Sequence, residues 1–251
     1  MQSNRNNPLT PQDISTPFPI PGEGPGLGAG RLLCLFDMDG VLYNSMPNHA
    51  IAWVHAMASF GISFAEADSY ATEGARGVDT VRRFVKEQTG KDISEEEAME
   101  MYQEKARIFA TLPTPPMMPG TLDLMRKIKA QGLTIGVVTG SAQRPLIARI
   151  LEDFSEFISE DHIVTAFDVK KGKPNPDPYL MGMKKCGNFL PEETIVVENA
   201  PLGVHAGHAS GAYTIAVNTG PLPDETLLNE GADILFHTIQ ELADNWNILT
   251  F

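Results

Sequence analysis

Beyond residue 120 the chain alternates between helical segments and short apolar runs. The runs are Leu133 to Val138, Ile163 to Phe167, Thr194 to Val197, Tyr213 to Val217 and Ile234 to Phe236, and Leu32 to Phe36 precedes them all. Between them, helical spacing covers Thr121 to Ala130 (ending at Gly132), Pro145 to Phe154 and Pro201 to Ala209. A further helix is expected over Pro178 to Lys185, with Asp177 as its N-cap. Uniformly apolar strands joined by helices belong in a parallel sheet covered on both faces. The expected fold class is therefore α/β, a doubly wound, Rossmann-like parallel sheet.

The stretch between the first strand and residue 118 breaks that rule, because it reads as helices alone. Met46 to Phe60 carries apolar residues at helical spacing and stops at Gly61. Asp79 is placed to cap a helix through Val81, Phe84 and Val85 to Gly90. Ser94-Glu95-Glu96-Glu97 has capping-box spacing and opens a third helix. Pro113, Pro115, Pro116 and Pro119 then mark a hinge. The expected organisation is a flexible extension over 1–29, a core made of 30–44 and 118–251, and an inserted helical cap over 45–117. Trp53 is expected to pack the cap against the core.

Bulk properties narrow the partners. With 32 acidic and 19 basic residues the formal charge is −13, which argues against nucleic acid or an anionic membrane. A small phosphorylated substrate stays compatible, since a few local cations and Mg²⁺ can reverse the field in one cleft. The two cysteines, Cys34 and Cys186, fit a reducing compartment and a cytoplasmic location. No apolar run approaches the length of a membrane span. A monomer or weak homo-oligomer is expected.

In a sheet of this kind, ligands gather at the carboxyl ends of the strands. The first strand delivers Asp37-Met38-Asp39-Gly40-Val41-Leu42. Taken alone this could be an acidic surface turn; once the chain bends at Gly40, both carboxylates can also converge on one site, where a cation is their natural partner. The second delivers Thr139, Gly140 and Ser141, a hydroxyl and backbone amides before a helix, suited to an oxyanion. Lys171-Gly172-Lys173-Pro174-Asn175-Pro176-Asp177 places a lysine in a stiff loop, able to neutralise phosphate. The fourth strand ends in Glu198-Asn199, two oxygen donors suited to a hard cation. His205 and His208 lie at i, i+3 on a helix, but the rest of a metal site is missing, so a structural role is expected.

These motifs, in this order, resemble the haloacid dehalogenase superfamily, and within it the β-phosphoglucomutase-like subgroup with a helical cap. The resemblance covers about residues 31 to 245. It implies that Asp37 is a nucleophile forming an aspartyl-phosphate and that Asp39 is its acid/base partner, with a backbone carbonyl for Mg²⁺. It further implies that Thr139 and Lys173 hold phosphoryl oxygens and that Asp37, Glu198 and Asn199 complete the metal site. Lys173 and Mg²⁺ would lower the pKa of Asp37, leaving Asp39 free to titrate. His49 stands where the mutases place a histidine against the acid/base.

The chain departs from the family pattern twice. Asn199 replaces an aspartate found in many relatives: either the metal site loses one negative charge, or Glu198 carries the anionic ligation and Asn199 orients it. In the cap, Gly74-Ala75-Arg76-Gly77-Val78-Asp79-Thr80 resembles the substrate loop, yet Thr80 stands where the mutases carry an arginine for a distal phosphate. Arg76, Arg82 or Arg83 is left to substitute. The expected function is accordingly a Mg²⁺-dependent phosphatase of a small phosphorylated metabolite, a sugar phosphate foremost. The alternatives are a β-phosphoglucomutase, or a binding or regulatory relative impaired by Asn199. A metal-free dehalogenase has no use for Asp39 and Glu198-Asn199.

Overall fold

The computed structural model describes residues 32–141 and 144–246; the extension expected over 1–29 lies outside them. Six parallel strands form one sheet: β1 (Leu33–Phe36), β2 (Thr134–Val138), β3 (Ile163–Val164), β4 (Thr194–Glu198), β5 (Tyr213–Val217) and β6 (Ile234–Phe236). Their order is β3-β2-β1-β4-β5-β6, the doubly wound arrangement, with its topological switch between β1 and β4.

Period-two alternation sorts the strand side chains onto two faces. Cys34 and Phe36 join Ile135, Val137, Ile195, Val197 and Ile215 in the larger core. That face is covered by α5 (Thr121–Ala130), α6 (Arg144–Asp153) and α10 (Ile239–Asn245), which contribute Leu124, Ile128, Ile150 and Leu242. Leu33, Leu35, Val138 and Val196 face the other way. There α7 (Asp177–Lys185) and α8 (Pro201–Ala209) supply Tyr179, Met183 and Ala206. A short α9 (Asp224–Leu228) buries Leu227 against Ala216 and Leu235.

Between β1 and α5 the chain forms four helices: α1 (Met46–Ser59), α2 (Glu66–Ala71), α3 (Gly77–Thr89) and α4 (Glu95–Phe109). They share their own apolar core of Trp53, Met57, Phe64, Val81, Phe84 and Met101. Trp53 therefore packs within the cap, 5.5 Å from Phe64 ring to ring, instead of bridging cap to core. The two connecting segments run side by side. The Asn44 amide donates to Pro116 and the Met118 amide to Leu42, both at 2.9 Å. Tyr43 pins this ribbon to α6, its hydroxyl donating to Asp153 at 2.8 Å beneath the Arg149 guanidinium.

Several boundaries differ from the sequence expectation for local reasons. The strand expected over 163–167 stops at Val164 because the Thr165 amide and hydroxyl both donate to Asp168, turning the chain. α3 starts three residues early, with Arg76 at the cap, so Asp79 sits in its first turn and complements the helix dipole. In α7, Pro176 takes the cap position and Asp177 is already helical. Ser94 caps α4 as expected, accepting from the Glu97 amide while Glu97 reaches back. Among the described residues no helix is long and apolar enough to cross a membrane.

Gly120 joins the hinge to α5 with φ +90°, and an added Cβ would lie 2.6 Å from the Gln240 backbone. Gly120→Ala should therefore destabilise the core by about 2 kcal/mol or more in urea unfolding. An unchanged midpoint would mean that α10 moves aside freely.

Candidate active site

The strands β1, β2 and β4 end in register, with Phe36 level with both Val137 and Val197. The next residue on each is thus brought to one place. Asp37 follows β1 and is fixed by its amide, which donates to Val197 at 3.0 Å. At Gly40, φ is +85°, and an added Cβ would meet the Asn199 amide at 2.0 Å. The chain can make the Asp37–Asp39 turn and let Asn199 pack over it only because this position is glycine.

Lys173 lies at the centre. Its fully buried ammonium donates to Asp37 Oδ1 at 2.5 Å, to Glu198 Oε1 at 2.6 Å and to the Val138 carbonyl at 3.1 Å. All three donor positions are used. Burial works against the charge, but the two carboxylates prevail and hold Lys173 protonated beyond its ordinary range. Burial likewise pushes Asp37 above the usual carboxylate range, with Lys173 opposing and Glu198 and Asp39 reinforcing the rise.

Glu198, expected among the metal ligands, is occupied elsewhere. Its Oε1 also accepts from Tyr179 at 2.7 Å, and its Oε2 accepts from the Asn199 and Ala200 amides at 3.0 and 3.2 Å. With four donors on one carboxylate, it anchors Lys173. α8 makes room for it at Gly203, where a Cβ would come within 1.8 Å of Oε1. Two other oxygens are buried without a partner: Asp37 Oδ2 and Asn199 Oδ1. A buried carboxylate oxygen and amide oxygen left open, amid an excess of acid, fit a hard divalent cation.

Asp39 faces the cap and has its own donors, Ser45 at 2.5 Å and His49 Nε2 at 3.0 Å. Burial alone would raise its pKa, but His49, Ser45 and Lys105 together hold it below the usual range. It is therefore not the freely titrating member of the pair that the sequence led us to expect. His49 is buried in α1. Its Nδ1 lies 2.6 Å from the ammonium of Lys105 on α4. An ammonium can only donate, so Nδ1 accepts and Nε2 carries the proton given to Asp39. Desolvation lowers Lys105 to about 8, with Glu73 and Asp39 resisting.

A cavity of about 30 Å³ separates cap from core, bordered by Asp39, His49, Glu73, Lys105, Gly140 and Ser141. Thr139 and Ser141 sit at the end of β2, the Ser141 amide donating to the Thr139 hydroxyl at 3.0 Å. Arg76, expected to bind substrate, packs its stem at Gly172 and pairs its head with a carboxylate. Its guanidinium grips Asp79 at 2.8 and 2.9 Å. Arg83 pairs with Glu87 on the surface, and Arg82 is exposed. His205 likewise pairs at the surface, with Glu230.

Four residues of the site went unnoticed in the sequence: Ser45, Glu73, Lys105 and Tyr179. Only Lys105 left a signal. It falls on the buried stripe of α4 with Ala98, Met101 and Phe109, where a lysine is out of place unless it has a task.

Residues 32–211 match the model of the haloacid dehalogenase-like hydrolases. The chain belongs to that family. It is 31% identical over 209 residues to hexitol phosphatase A of Escherichia coli K12, covering 83% of this chain and 92% of the relative. It is 25% identical over 224 residues to beta-phosphoglucomutase of Bacillus subtilis 168, covering 84% and 94%. A solved Bacteroides vulgatus structure, provisionally named beta-phosphoglucomutase, superposes with a TM-score of 0.83 at 48% identity. That alignment covers 87% of this chain and 88% of the other. The family is one of phosphatases and phosphomutases, and this chain carries its enzyme fold.

The Lys105 ammonium gives a testable pH dependence. Its pKa is about 8 in the fold against an ordinary 10.5, so between those values the unfolded chain binds the extra proton. Stability should then rise with pH across that window, relative to Lys105→Met, by on the order of 3 kcal/mol. Urea unfolding of both proteins at pH 7.5, 9 and 10.5 (roughly spanning the window) measures it. A difference that stays flat would place the lysine in contact with solvent.

Proposed function

We propose that this chain is a Mg²⁺-dependent phosphatase that hydrolyses a small phosphorylated metabolite through a phosphoryl group carried on Asp37. The observation that carries this reading is the divided environment of Asp37. One oxygen is fixed by Lys173 and the other is buried with no partner, as is Asn199 Oδ1. The relatives' names direct the substrate class to sugar and polyol phosphates.

Asp37 Oδ2, Asn199 Oδ1 and the Asp39 backbone carbonyl would hold the cation. When bound it would neutralise charge on the phosphoryl oxygens and bring Asp37 back to its anionic form. The other parts are the chain's own. Lys173, with the Thr139 hydroxyl and the amides at Gly140 and Ser141, balances the charge of the phosphoryl group in transfer. The Asp37 carboxylate attacks phosphorus as the bond to the substrate oxygen breaks, and that oxygen takes a proton from Asp39. Asp39 then removes a proton from water, whose oxygen attacks phosphorus and frees Asp37 and phosphate. The donors around Asp39 favour its anionic form, the one the second step needs. His49, with its tautomer set by Lys105, orients that carboxylate from the cap side.

The cap favours hydrolysis over a mutase reaction. Holding a second phosphate calls for a guanidinium or a comparable cation. Arg76 pairs with Asp79, and Lys105, the cation on the cavity wall, is buried against His49 with the Glu73 carboxyl in the same wall.

Phosphate release should be measured with Mg²⁺ over hexitol, hexose and glycerol phosphates and inorganic pyrophosphate. A coupled assay for conversion of β-glucose 1-phosphate to glucose 6-phosphate runs in parallel. Hydrolysis should exceed conversion, and Asp37→Asn should reduce turnover by ~10³-fold or more. Absence of Mg²⁺-dependent turnover on every ester would sink the enzyme reading, while dominant conversion would install the mutase. Asn199→Asp should lower the Mg²⁺ concentration at half-maximal rate, because it adds a negative charge at the open oxygen. No change in that requirement would remove Asn199 from the metal site.

A further inference from the structure

The cap meets the core on glycines. A Cβ on Gly140, after β2, would lie 2.9 Å from the Gly74 carbonyl of the cap loop. One on Gly172, before α7, would lie 2.8 Å from Arg76 Cγ. These two belong to loops that carry catalytic groups. A third contact is remote from the chemistry: a Cβ on Gly220, beyond β5, would lie 2.9 and 3.2 Å from Cδ1 and Cε1 of the Tyr70 ring.

We propose that Tyr70 seated on Gly220 is a latch that sets the closed position of the cap, and that both are positioning residues for catalysis. Tyr70 is the penultimate residue of α2, and the segment that borders the cavity follows at once. The Thr72 amide and hydroxyl bind back to the Asp68 carbonyl at 3.0 and 2.7 Å, and the Ala75 amide donates to Thr72 at 3.2 Å. Residues 68–75 are thus a braced unit, and where Tyr70 rests decides where Glu73 and Gly74 stand. On the core side, Thr219 adjoins Gly220 and donates its hydroxyl to the Gly40 carbonyl at 2.7 Å. The Gly40 amide in turn donates to Tyr43 at 2.8 Å within the Asp37–Asp39 turn. The latch therefore registers the cap loop against the loop that carries both carboxylates.

Closure must be reversible for such a pair to matter. The cavity of about 30 Å³ has space for a few waters at most, each needing about 10–15 Å³. A phosphate ester with a carbon skeleton enters only if the cap lifts. A ring resting on a glycine suits this, since it makes broad contact without interlocking and separates without breaking a hydrogen bond. Tyr70 is half-buried and Gly220 does not require a positive φ, so alanine at 220 is compatible with the backbone and acts through the contact.

The test is a double-mutant cycle on the full chain with Gly220→Ala, Tyr70→Ala and the pair. It is read by kcat/KM for the best ester from the phosphatase panel and by amide hydrogen exchange of residues 72–77. Gly220→Ala should lower kcat/KM about tenfold and speed exchange in that segment. The double variant should be no worse than Tyr70→Ala alone, because the added methyl no longer meets a ring. Tyr70→Phe should match the wild type. Additive effects, or exchange that stays at the wild-type rate, would overturn the latch. Should Gly220→Ala fail to fold, the exchange of Tyr70→Ala against Tyr70→Phe decides the same question. The kinetic arm rests on the phosphatase reading. If no ester turns over, that reading fails by itself, and the exchange data still judge the latch.

Discussion

A single buried ammonium joins three strand ends that would otherwise repel one another. Asp37 and Glu198 belong to neighbouring strands and point toward the same crevice, and Lys173 reaches both along with the last carbonyl of β2. Removing one partner of a buried charge cluster leaves the others unpaired, at a cost of several kcal/mol. The geometry of the site is thus part of the stability of the sheet. Tyr179 and the two amides on Glu198 complete the arrangement by leaving that carboxylate no freedom to turn. With Glu198 so fixed, the open oxygens fall to Asp37 and Asn199. On the proposed reading, an amide at 199 then removes a charge from a ligand set with none to spare.

The sheet was legible because its determinants are local. Apolar runs named all six strands, with β1 and β2 each drawn one residue long and β3 three. The error in β3 came from a side chain, Asp168, which competes for the Thr165 amide that a strand would have used. The short helices α2, α9 and α10 escaped notice because six, five and seven residues hold too few turns for periodicity to register. Strand-end placement also put Asp37 and Glu198 side by side, and Lys173 joins them from the loop before α7.

What the sequence could not supply was direction within the site. Glu198 and Asn199 are adjacent and both offer oxygens, and only the packing of Tyr179 shows which of them is engaged. Arg76 carries the right group for a phosphate, yet a carboxylate three residues on captures it. His49 was placed correctly, but its tautomer depends on Lys105, fifty-six residues away on another helix. Each of these is a choice between partners of similar chemistry, and such choices are made by tertiary contacts.

The paired connecting segments at residues 42–45 and 113–118 carry a mechanical consequence. Two adjacent strands bonded to each other, and riveted to α6 through Tyr43, resist shear but yield to torsion. A body hung on such a ribbon swings about it as a door does, so displacement grows with distance from the axis. Ser45 caps α1 and His49 follows one turn later, so both adjoin the hinge segment, whereas Tyr70 and Glu73 stand at the end of α2. A swing of the cap would then leave Asp39 its two donors while the wall at Glu73 moves.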